Sequence, residues 1–121
     1  MKVLVTGSRD WSDIDAVVRE LSRLPMGSIV VHGACRGADT IAGVVAEALG
    51  FEVRPYPALW NTLGNSAGPI RNREMLCSEH RRGEPIELVI AFHADIESSK
   101  GTKDMLEIAL LANIECRVVK G

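Results

Sequence analysis

The chain has 121 residues, a formal net charge of −2 and three cysteines. That length gives room for one core and one domain, 1–121, and not for two. The slightly acidic balance speaks against strong non-specific binding of nucleic acid, and no apolar run approaches the roughly 20 residues of a membrane span. Cys35, Cys77 and Cys116 lie far apart with no CxxC pair, so reduced thiols are expected rather than a zinc site or a disulfide framework. Lys2 is followed by only three apolar residues before Thr6 and Gly7, so no signal peptide is expected, and the expected location is the cytoplasm.

In chain order, Val3-Leu4-Val5 reads as a strand buried on both faces. It runs into Gly7, Ser8 and Arg9, and Ser12 or Asp13 can cap the helix that follows. Ile14, Val17, Val18, Leu21 and Leu24 give that helix its spacing over 12–24, and Pro25-Met26-Gly27 stops it. A second buried strand, 28–32, leads into the glycine-bearing turn Gly33 to Asp39. An alanine-rich helix over 37–49 follows, with Gly50 as its C-terminal cap, and then a strand over 51–56. Residues 55–69 have no clear period and carry two aromatics and three prolines, which predicts a long functional loop. A helix over 70–80, a strand over 87–92, a polar connection over 93–99, a helix over 101–113 and a strand over 115–119 complete the chain.

Strands alternating with helices predict an α/β fold with a five-stranded parallel sheet, right-handed crossovers and helices on both faces. The expected strand order is 3-2-1-4-5. Ligands of such sheets bind beyond the carboxyl ends of the strands, where the order reverses. Three turns would meet there: Gly7, Ser8 and Arg9; Gly33, Arg36, Gly37 and Asp39; and Lys100, Gly101 and Thr102. Glycine lets a ligand approach the backbone, helix starts favour anions, and the cations add charge, so a phosphate or carboxylate ligand is expected. Gly33 to Asp39 matches neither a dinucleotide fingerprint nor a P-loop, and a plain strand-to-helix turn remains open for it. Arg71, just after Gly68-Pro69, is expected to grip the anion, with Arg73 toward solvent. Trp60 and Tyr56 are candidates to stack on a planar base or to pack the long loop, and Trp11 reads as an anchor for the first helix. Asp39 and Asp104 could meet ribose hydroxyls, Asp104 equally fitting the first turn of its helix. His32 and His93 each end a strand at the crevice and read first as structural. No cluster has metal-ligand spacing, so neither a metal nor a cofactor is expected.

Taken together, Gly-Ser-Arg-Asp at 7–10, Val-His-Gly-Ala-Cys-Arg-Gly-Ala-Asp at 31–39, Tyr-Pro-Ala-Leu-Trp at 56–60, Gly-Pro-Ile-Arg-Asn-Arg-Glu-Met at 68–75 and Ser-Lys-Gly-Thr-Lys-Asp-Met at 99–105 resemble the SLOG superfamily. Within it the chain looks like the small YspA-type, cpYpsA-related branch. The resemblance implies a Rossmann-like three-layer sandwich, a nucleotide or nucleotide-derived ligand, and a homodimer, although no stripe in the sequence marks an interface. Some branches are associated with nucleotide signalling and conflict with phage or plasmids. The superfamily also holds the LOG phosphoribohydrolases, which split the N-glycosidic bond of nucleoside 5′-monophosphates. Arg71, Glu74 and Met75 match their helix motif, and Gly101 and Thr102 match part of their Pro-Gly-Gly-x-Gly-Thr-x-Glu segment. Ser98, Ser99 and Lys100 replace its Pro-Gly-Gly-x, and Asp104 takes the glutamate's place with one methylene fewer. A carboxylate moved by that much loses much of a positioned catalytic effect. The leading expectation is therefore a ligand-binding module or sensor. The alternative is a LOG-like hydrolase in which Arg71 anchors phosphate and Asp104 stabilises the oxocarbenium ion or activates water.

Overall fold

A computed structural model describes all residues, 1–121. Five strands, β1 (Lys2–Gly7), β2 (Ile29–His32), β3 (Glu52–Pro55), β4 (Leu88–Phe92) and β5 (Glu115–Val119), form one sheet in the order β3-β2-β1-β4-β5. Every pairing is parallel, and β1 registers Val3 on Val30 to one side and on Leu88 to the other. Helices α1 (Ile14–Leu21) and α2 (Ala38–Ala48) cover one face, burying Val3, Val5, Val30, Ile90 and Phe92. The other face lies under α4 (Ala67–Arg81) and α5 (Gly101–Leu111), which bury Leu4, Val31, Val89 and Ala91. The architecture is a Rossmann-like three-layer α/β sandwich with the order predicted from the sequence.

The alternation of β1 explains the two-sided burial, since odd positions feed one layer and even positions the other. Asp13 caps α1, accepting from the Ala16 amide at 3.1 Å. The helix stops at Leu21, three residues before its predicted end. Trp11 is buried against Phe92, their rings 5.6 Å apart, and anchors the start of α1 as expected.

The stretch predicted as a long loop is largely helical. A short helix, α3 (Trp60–Leu63), and a 3-10 turn (Gly64–Ser66) precede α4, which begins at Ala67 rather than Ile70. Pro69 thus lies inside the first turn of α4, where its missing N–H has no helical partner to lose. Arg71 and Asn72 are buried, while Arg73 is exposed. Tyr56 turns away from the crevice, its hydroxyl donating to Glu79 on α4 at 2.5 Å. No helix is long and apolar enough to cross a membrane.

Candidate functional site

A cavity of about 670 Å³ opens beyond the carboxyl ends of β1 and β4, where the strand order reverses. Its floor is the segment Thr6 to Asp10. The Ser8 amide donates to the Phe92 carbonyl at 2.9 Å, and the Ser8 hydroxyl accepts from the Asp10 amide at 3.0 Å, so this segment is tied down from within. His93 also lines the cavity, and its Nδ1 accepts from the Asp95 amide at 2.9 Å. Its proton therefore sits on Nε2 in the neutral ring.

The α2 wall differs from a phosphate loop. The amides of Gly33 and Cys35 donate to Asp39 Oδ2 at 3.0 and 3.4 Å. The Ala34 amide donates to His32 Nδ1 at 2.9 Å, and the Ala38 amide to the Ser8 carbonyl at 3.0 Å. These amides serve the turn itself. Burial first, and then Arg71, hold His32 below its ordinary pKa, which keeps Nδ1 unprotonated and able to accept. The wall presents the carboxylate of Asp39 to the cavity instead. Asp39 is 5% exposed, and its Oδ1 has no partner in the protein. No fully buried side-chain oxygen lacks a partner, so that oxygen opens on the cavity it lines. Burial pushes its pKa up to about 6, against the pull of the Cys35 amide and the Arg71 guanidinium.

The α5 wall has the opposite character. Ser98, Ser99, Lys100, Gly101 and Thr102 line it, and the helix start carries no side-chain cap at Lys100. The Thr102 amide donates to Ser99 Oγ at 3.1 Å. Thr102 is only 3% exposed, and its hydroxyl makes no hydrogen bond within the protein. Lys100 is exposed and forms no ion pair. A helix N-terminus, an ammonium group and an unpartnered hydroxyl together favour an anion. On the third side, Trp60, Gly68 and Pro69 close the rim, with the Arg9 guanidinium 5.3 Å from the Trp60 ring centroid.

Of the residues expected to touch a ligand, Gly7, Ser8, Arg9, Asp39, Trp60, Lys100, Gly101 and Thr102 line this cavity. Gly33, Arg36, Gly37 and Arg71 do not. Gly37 holds a φ of +77° with Ser8 and Arg9 carbonyls packed against it, so it shapes the turn. Arg36 pairs on the surface with Asp10 at 3.6 Å. Arg71 is buried beneath the turn, donating to the Gly33 carbonyl and, at 2.9 Å, to Asn72 Oδ1. Asn72 then donates to Asp104 Oδ2 at 3.0 Å and to the Gly101 carbonyl at 3.3 Å. Asp104 stands outside the cavity lining, with Arg73 at 3.9 Å. Arg71 and Asp104 are thus joined through the buried Asn72 in a chain that fixes the α2 turn relative to the start of α5. The sequence reading missed Asn72, Cys35 and Asn65 at or behind the site. No group of three His, Cys, Asp or Glu residues is placed to hold a metal ion.

The family model described as YspA, cpYpsA-related SLOG family matches residues 1–62, half of the chain. The chain belongs to that SLOG family. A relative, the Gene 61 protein of Mycobacterium phage D29, is 46% identical over 84 residues, covering 62% of this chain and 67% of that protein. The part matched to the SLOG family carries β1, β2 and β3 with the cavity residues Ser8, Arg9, Asp39 and Trp60, whereas the α5 wall lies beyond it.

The carboxylate of this SLOG site opposes folding. Burial holds the Asp39 pKa at about 6, against 3.8 for an ordinary aspartate carboxyl. Between those values the native state holds more protons than the unfolded chain, so stability falls as pH rises through the window. The full difference, about 3 kcal/mol, is felt above pH 6. Asp39→Asn is therefore expected to raise stability by roughly 1–3 kcal/mol at pH 7.5 and to change it little at pH 4. Urea unfolding at the two pH values measures this, and an Asn variant that is less stable at pH 7.5 would contradict it.

Proposed function

We propose that the protein is a cytoplasmic ligand-binding module for a nucleotide or nucleotide-derived signal. The observation that carries this reading is the pairing of opposite walls in one cavity. Unpaired donors of α5 face it from one side and the carboxylate oxygen that Asp39 leaves without a protein partner from another. A nucleotide supplies the complement, with its phosphate at Lys100, Gly101 and Thr102, its sugar hydroxyls toward Asp39, and its base near the Arg9–Trp60 pair. The guanidinium offers a planar face on which a base can stack. Membership of the SLOG family supports a nucleotide-related ligand, and a phage-encoded relative fits a setting of nucleotide signalling in phage conflict.

Simple binding is favoured over hydrolysis because Arg71 and Asp104 are engaged by the protein and stand outside the cavity lining. The test is calorimetry with nucleoside mono-, di- and cyclic phosphates, with chromatography of the recovered ligand. At least one should bind and return intact. Lys100→Ala combined with Thr102→Val is expected to weaken binding at least tenfold, each lost contact being one to a charged group. Release of free base, abolished by Asp104→Asn, would establish the hydrolase instead.

A further inference from the structure

We infer that Asp39 is the specificity-determining residue of the cavity: its free carboxylate oxygen receives an unsubstituted sugar hydroxyl and rejects any ligand that carries a second phosphate at that position. The inference rests on the nucleotide reading and goes beyond it, because it states which nucleotides are refused.

Three observations carry it. Oδ2 of Asp39 is held by two backbone amides, Gly33 and Cys35, so the carboxylate cannot swing away from an unwelcome group. Oδ1 is the atom left facing the cavity, in a side chain otherwise sealed from water. A desolvated acceptor of this kind gains from a hydroxyl donor and is penalised by a second anion, because little solvent remains to screen the repulsion. Finally, the groups that would soften an anion on this wall are turned elsewhere. The Gly33, Ala34, Cys35 and Ala38 amides are used within the turn, and the Arg71 guanidinium points at the Gly33 carbonyl beneath it. Unused donors and the Lys100 ammonium lie on the α5 wall, and Arg9, the other cation of the lining, is held over the Trp60 ring 5.3 Å away. One phosphate therefore has a place in this cavity, and a phosphate on the sugar hydroxyls has none.

Calorimetry on the full chain at pH 7.5 tests this with the four nucleoside 5′-monophosphates, their 2′-deoxy forms, and their 2′,5′- and 3′,5′-bisphosphates. For the base that binds best, both bisphosphates should bind at least fiftyfold more weakly than the monophosphate, and the 2′-deoxy form about fivefold or more. Asn at position 39 keeps an acceptor for the Gly33 and Cys35 amides and turns an NH₂ toward the ligand. In Asp39→Asn the bisphosphates should come within fivefold of the monophosphate. Bisphosphates that bind wild-type protein as tightly as the monophosphate would overturn the inference while leaving nucleotide binding in place. Equal discrimination by wild type and a folded Asp39→Asn would overturn it too. Failure of every nucleotide to bind would remove the underlying reading along with it.

Discussion

Glu79→Ala is expected to destabilise the protein by about 3–5 kcal/mol, the usual penalty for stripping one partner from a buried charge cluster. Glu79 on α4 is fully buried. Its Oε1 is 2.8 Å from Lys2 Nζ and 2.6 Å from Arg54 NH1, and its Oε2 accepts the Tyr56 hydroxyl. Lys2 is itself 2% exposed, held also by the Glu84 carbonyl at 2.7 Å. Removing the carboxylate would leave an ammonium and a guanidinium facing each other under α4 with nothing between them. Burial by itself would raise the Glu79 pKa, but hydrogen bonds from Lys2, Tyr56 and Arg54 outweigh it and hold the carboxyl below its ordinary value. A lowered acid pKa contributes stability that is present above the unfolded value and lost as pH falls through the folded one. The acid limb of the stability profile should therefore flatten in Glu79→Ala. Urea unfolding across pH 2–7 measures both effects. Tyr56→Phe, which removes one donor and leaves the ion pairs, should lose about 1–2 kcal/mol. A Glu79→Ala protein within 1 kcal/mol of wild type would mean that the cluster does not seat α4 on the sheet.

That cluster also marks where the sequence stops being readable. Lys2, Arg54 and Glu79 look like ordinary surface charges in a linear reading, because what buries them is the meeting of β1, β3 and α4. The strands themselves were legible. Val3-Leu4-Val5 and the apolar run of β4 could only be central strands, and the alternation with helices gave the order and the crevice. Hence the floor segment, Asp39 and the start of α5 were all placed at the cavity from the sequence. The α4 residues were not, for a physical reason. Pro69 reads as a breaker just ahead of a helix, yet proline is tolerated within the first turn, and α4 begins two residues before it. Arg71 is on the inward face of α4, as its spacing from Arg73 predicts, but it lies under the Gly33 turn. Spacing could separate Arg71 from Arg73 but could not tell a ligand's phosphate from a backbone carbonyl as the partner. Likewise, a glycine-bearing turn at a helix start advertises free amides, and only the folded turn reveals that Asp39 takes two of them.

Two glycines of the cavity separate folding from binding, and the contrast is the sharpest test of the ligand's position. Gly7 ends β1 where β4 and α2 close in. A Cβ there would collide with the Phe92 carbonyl oxygen and stand 2.7 Å from the Ala38 Cβ. Neither neighbour is the loose end of a long side chain, so the sheet edge and the helix must part to admit it. Gly7→Ala is expected to lose at least about 3 kcal/mol, and ligand binding with it. Gly101 is the reverse case. It opens α5 and lines the cavity, and a Cβ added to it meets nothing within 4 Å. Alanine suits a helix better than glycine, so Gly101→Ala should melt at or above the wild-type temperature. Its methyl group would nevertheless occupy space where the phosphate must approach the backbone, and affinity should fall at least tenfold. Thermal unfolding and calorimetry on both variants separate the two effects. A Gly7→Ala protein as stable as wild type would contradict the close junction of β1, β4 and α2. Full affinity in a stable Gly101→Ala protein would move the anion off the α5 wall, leaving the floor segment with Arg9 as the remaining place for it.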